Sequence, residues 1–310
     1  MKKPTIILIV LFVSTILHAQ IDSTQVTKPI KHPVWTAIVP GASYLYEGKI
    51  VKGLMFSTME VGGLYIGLKY DNVLNHNKNT PYYNYPLWLG MQAYQVEKIN
   101  YFRNFLEIKK NKHPNFQYDD ISDKELYLAP FKVKNIFTPI TGSMILLAGI
   151  FLTIEKNHEK HTIAEVDKMS YFSKYIARNE ALAIYGITSL AMSWGAGVSE
   201  EYLLRNYVLP ILDYKYGQKK GLLYTSLGFG SIHLLNAFLA DKPDYSELLL
   251  QVGVATAAGY FIGKDVQKRN YSIGPAVAAH VWYNFALMLG SFLINPEDNY
   301  LGVNLQFNLD

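Results

Sequence analysis

The chain contains no cysteine, which removes disulfides, thiolate metal sites and cysteine nucleophiles together, so any nucleophile must be oxygen or water. Charge is scarce as well. Asp, Glu, Lys and Arg make up 17% of the 310 residues while half are hydrophobic, and the apolar residues gather in long runs instead of spreading as in a soluble α/β domain. The net charge of +4 comes from scattered lysines in polar connectors. With no basic arm and no interleaving of aromatic and basic residues, nucleic acid is not an expected partner. Also missing are an HExxH helix, an internal repeat and paired broken helices, which count against a zincin-type metal site and against a transporter.

What is present begins with Lys2 and Lys3, an apolar run over residues 6–17 and a small-residue end at Ala19. This is the layout of a secretory signal peptide, expected at 1–20, and its apolar core is shorter than the ~20 residues a span needs. Residues 21–135 read as an N-terminal membrane-associated helical region of unassigned role. In it Pro40-Gly41 breaks one apolar stretch and a span follows over about 50–68. An Asn- and Tyr-rich loop with Pro81 and Pro86 precedes a helix over 87–110, whose mixed apolar and charged residues suit a membrane surface. The connector 111–135, with turn signals at Asp119-Asp120 and Ser122-Asp123, is the expected domain boundary.

Five apolar segments follow, at about 136–154, 180–198, 221–240, 248–262 and 273–294. At about 1.5 Å per residue most of them reach most of the way across a hydrocarbon layer of about 30 Å. The expected fold is therefore all-α: a polytopic transmembrane helical bundle over 136–294 with the N-terminal region before it and a polar tail at 295–310. Gly195-Ala196-Gly197 is expected to break the second core helix, with Ser199 capping a new one whose first turn holds Glu200 and Glu201. Lys215, Lys219 and Lys220, and again Lys264, Lys268 and Arg269, place two of the late connectors on the cytoplasmic side.

Ionisable side chains at membrane depth cost roughly 2.5–3.5 kcal/mol each on insertion scales, so a cluster of them marks a functional site. The first group is Glu200-Glu201 with Arg205. On a helix Glu201 and Arg205 are i and i+4 neighbours, so Glu201 is neutralised locally and Glu200 is left needing a partner from another helix, as a general base would be. An ordinary salt-bridged helix start gives the same pattern. The second group is Phe229 and His233, one helical turn apart, where the ring can wall the imidazole; a satisfied buried histidine reads the same way. The third, His280 and Asn284, presents an imidazole and a carboxamide to one point, as an oxyanion requires or as an interhelical polar clasp provides.

These three words, in this order and on three helices, resemble the CAAX prenyl endopeptidase and bacteriocin-processing family of intramembrane peptidases (the CPBP or ABI family). The EExxxR, FxxxH and HxxxN series is matched at Glu200-Glu201-Arg205, Phe229-His233 and His280-Asn284 without a departure. The resemblance implies a membrane-embedded glutamate-type endopeptidase with no cofactor. Glu200 and His233 would activate water, His280 and Asn284 would hold the oxyanion, and Glu201, Arg205 and Phe229 would be structural. It implies a peptide or membrane-protein substrate, the lipid bilayer as surroundings and a bacterial inner-membrane location. Two alternatives stand beside it. One is a zinc peptidase with Glu200, His233 and His280 as ligands, since two histidines and a carboxylate make a catalytic zinc set. The other is a non-catalytic immunity or scaffold protein that binds a peptide in the same pocket.

Overall fold

The computed structural model describes residues 31–74, 85–156, 162–171, 174–234 and 245–296. The expected signal peptide, the end of the third core segment at 235–240 and all but the first two residues of the polar tail lie outside the described residues.

The N-terminal region holds α1 (Ala42–Tyr46), α2 (Ile50–Leu74) and α3 (Tyr85–Lys112), and the connector folds into the short α4 (Asp123–Leu128) and α5 (Val133–Ile136). Then come α6 (Pro139–Lys156), a hairpin of β1 (Lys168–Tyr171) and β2 (Lys174–Ala177), and α7 (Arg178–Glu201). A π-helical turn (Tyr202–Val208) joins α7 to α8 (Leu209–Tyr216), and α9 (Gln218–Ile232), α10 (Tyr245–Lys268) and α11 (Gly274–Ile294) complete the core. The class is all-α, as expected. The hairpin stands between the first two expected core segments, where the sequence reading has no element: its strands pair antiparallel, Lys168 opposite Ala177, and Met169 and Ile176 pack on the cluster of Ile163, Tyr185 and Phe292.

The five expected core segments fall on α6, α7, α9, α10 and α11. Among the described residues two helices are long and apolar enough to cross a membrane, the α7–α8 run Arg178–Tyr216 and α11, and α6 carries a shorter apolar stretch, Pro139–Ile154. The segment expected to span at 50–68 is helical but is not among them; Lys52 and the buried Glu60 lower its mean hydropathy. Helix α11 packs between α6 and α7, and its first half, from Gly274 to Val281, is buried throughout. Three alanines there, Ala276, Ala278 and Ala279, leave room for neighbouring backbones to come close.

The expected break at Gly195-Ala196-Gly197 needs correction: α7 runs through it unbroken. These glycines serve close approach instead. A Cβ on Gly195 would sit 3.0 Å from Gln92 Oε1 of α3, and one on Gly197 would sit 2.5 Å from Val281 Cγ2 and 3.1 Å from Val281 N of α11. Ser199 caps nothing; its hydroxyl donates back to the Gly195 carbonyl at 2.8 Å within the same helix. The irregularity comes later, in the π-helical turn that follows Glu201. Pro210 has no N–H for the ladder, and a widened turn just before it absorbs the mismatch.

Candidate active site

Glu200 and Glu201 end α7. Neighbouring side chains on a helix diverge by about 100°, so one carboxylate turns into the protein and the other stays partly open. The Glu201 side chain is fully buried, whereas that of Glu200 keeps 29% of its surface. Arg205 donates from Nη1 to Glu201 Oε1 at 3.1 Å, the i,i+4 pair read from the sequence. The same Oε1 lies 2.7 Å from His280 Nδ1. One buried oxygen thus neutralises a guanidinium and orients an imidazole. Arg205 also reaches the Gly259 carbonyl of α10 at 3.5 Å, and its guanidinium lies 4.6 Å from the Phe229 ring centroid, a cation–π contact.

With Nδ1 engaged by Glu201, His280 turns Nε2 toward Glu200, 3.9 Å from Oε2. That gap is too long for a direct hydrogen bond and short enough for one solvent molecule to touch both atoms. Phe229 stands beside both imidazoles, its ring centroid 5.2 Å from that of His233 and 6.2 Å from that of His280. His233, half-buried, lies in the turn that ends α9. Asn284 is one turn beyond His280 on α11, also half-buried. The structure therefore brings Glu200, Glu201, Arg205, Phe229 and His280 into contact, joins His233 to them through the Phe229 ring, and places Asn284 next along the His280 helix. Among the described residues no three His, Asp or Glu side chains form a group able to hold a metal ion.

Several supporting residues escape a reading by motif. Ser199, directly before Glu200, lies 2.9 Å from the side chain of Gln95 and 3.3 Å from that of Gln92, both on α3. Trp194 of α7 donates to the Tyr127 carbonyl and Trp282 of α11 to the Pro130 carbonyl, each at 2.8 Å. Asn206, fully buried and next after Arg205, pairs with the backbone of Asp119. The available signal was a polar N–H carrier inside an apolar run, which must find an acceptor when buried.

Residues 183–286 match the family model described as type II CAAX prenyl endopeptidase, Rce1-like. That stretch belongs to the Rce1-like CAAX endopeptidase family. The Rce1-like stretch covers about a third of the chain and includes every motif residue from Glu200 to Asn284. An endopeptidase hydrolyses internal peptide bonds, so the match carries a protease and a peptide substrate with it. The two long apolar helices accord with a membrane protein. Helix α6 and the whole N-terminal region lie outside the Rce1-like stretch. No curated protein and no solved structure matches the chain.

Proposed function

We propose that the chain is an intramembrane endopeptidase of the glutamate type, with Glu200 as the general base. The observation that carries this reading is His280, held at Nδ1 by Glu201 and facing Glu200 with Nε2, inside an Rce1-like stretch. Glu200, aided by His233, takes a proton from water as its oxygen attacks the peptide carbonyl. His280 and Asn284 donate to the oxyanion, and Glu200 returns the proton to the departing amine. Because Nδ1–H is used by Glu201, Nε2 can donate only when the ring carries both protons. Glu201 and Arg205 are then positioning residues. Each oxyanion donor contributes roughly 10²–10³ in rate. The substrate is a peptide or a membrane-protein segment that reaches the site from the bilayer of a bacterial inner membrane, within a polytopic bundle, and no cofactor takes part.

The test compares peptides in membranes carrying the wild-type protein with those carrying Glu200→Gln. Cleavage by the variant is expected to fall by about 10³ or more, with uncut substrate accumulating. Equal cleavage by the two proteins would sink the glutamate mechanism. Loss of wild-type cleavage on exhaustive chelation, restored by zinc, would transfer the chemistry to a metal held by Glu200, His233 and His280. A protein that only binds peptide would keep its phenotype in the Gln variant.

A further inference from the structure

We infer that Asp119, in the connector, is a positioning residue that sets the spacing between the Glu200–Glu201 end of α7 and His280 on α11. The inference rests on the peptidase reading for its consequence and on hydrogen bonds alone for its geometry. The Asp119 N–H donates to Asn206 Oδ1 at 2.8 Å, and its carbonyl accepts from Asn206 Nδ2 at 2.9 Å. Both halves of the buried amide are used, which fixes its orientation. The Asp119 carboxylate points the other way and accepts the N–H of Ile273 at 2.9 Å. Ile273 is the residue before α11, and its own side chain offers no cap. The aspartate supplies the missing acceptor, and a negative charge, where a helix start favours both.

Asn206 lies five residues past Glu201, and Ile273 lies seven before His280. At about 1.5 Å per residue the tie sits roughly 10 Å along α11 from the Glu201–His280 contact. One turn before Glu201, Gly197 meets Val281 and the Val277 carbonyl, which flank His280 on α11. The two segments are thus held at two points, Gly197 beside His280 and Asp119 at the start of α11, with Glu201 between them along the chain from Gly197 to Asn206. Slippage at the Asp119 end changes the 3.9 Å gap between Glu200 and His280, and a misplacement of about 1 Å is enough to cost on the order of 10² in rate.

The experiment uses the full-length protein in lipid nanodiscs, a pool of internally quenched apolar peptides as substrate, and Glu200→Gln as the blank. Asp119→Ala is expected to lower kcat at least about tenfold with KM nearly unchanged. Asp119→Asn, whose carbonyl oxygen can still accept from Ile273, is expected to restore most of it. A second readout does not depend on catalysis: the downfield proton resonance of the His280 Nδ1–H in protein labelled with 15N-histidine, assigned by its loss in His280→Ala. It should stay in place in Asp119→Asn and shift or vanish in Asp119→Ala. Wild-type kcat in a folded alanine variant, or an unmoved resonance, would overturn the inference. Should the alanine variant fail to fold, Asp119→Ser, with its shorter acceptor, is read by the same two measurements. If Glu200→Gln cleaves the pool as well as wild type, the peptidase reading has failed and the resonance alone decides whether Asp119 sets the spacing.

Discussion

At the residue scale the site depends on one oxygen, Glu201 Oε1, that serves Arg205 and His280 together. Replacing Arg205 by Met leaves a fully buried carboxylate without its cation. Breaking a buried pair from one side costs about 3–5 kcal/mol, mostly from the charge left behind. Thermal unfolding in detergent should show that loss for Arg205→Met. The i,i+4 relation of Glu201 and Arg205 was legible in the sequence, since it needs only helical geometry. The His280–Glu201 contact was not. Seventy-nine residues separate the two, and only the crossing of α7 and α11 decides which of two adjacent glutamates the imidazole meets.

At the scale of elements, that crossing is set by Gly197. A methyl group there would press on the Val281 side chain and main chain, and overpacking of this kind costs about 1–3 kcal/mol. Gly197→Ala is expected to lose that much stability and, by pushing α7 from α11, to lose activity beyond what the melting temperature accounts for; kinetics well below the transition would separate the two. The glycines were visible in the sequence, but their task was misread. Gly loosens a helix when nothing approaches it and tightens a packing when something does, and a single sequence does not tell which neighbour arrives. The positions of α6, α7, α9, α10 and α11 followed well from long apolar runs. The β1–β2 hairpin did not, because strands of four residues leave too little periodicity to register.

At the scale of the whole molecule, the N-terminal region is bound to the core through α3. Phe102 and Phe105 pack on Tyr207 of the π-helical turn, with ring centroids 4.4 and 5.4 Å away, and the Arg103 guanidinium lies 5.7 Å from the Tyr202 ring centroid. The region is closed on itself by Glu47, which accepts from His32, Lys49, Asn100 and Asn104. Burial pushes the Glu47 carboxyl up, yet the bonds from His32, Lys49 and Asn100 and the lysine's charge outweigh it and hold the carboxyl at about 2, against 4.5 unperturbed. A lowered value means that the clasp contributes in full above pH 4.5 and is lost as the pH falls through about 2. Pepsin should therefore cut between residues 34 and 46 faster as the pH drops across that window, relative to Glu47→Gln, which lacks the charge to lose. An unchanged ratio would show that Glu47 does not secure the segment.

The connector has a practical corollary. Residue 136, where the apolar core begins, is the natural point at which to start a shortened gene for the protease part. A polypeptide begun there would carry the complete signature from Glu200 to Asn284 but no partner for the Asn206 amide and no acceptor for the Ile273 N–H. Trp194 and Trp282 would lose the carbonyls of Tyr127 and Pro130 as well. Such a fragment would have every residue named in the family signature and little to keep them at their working separation.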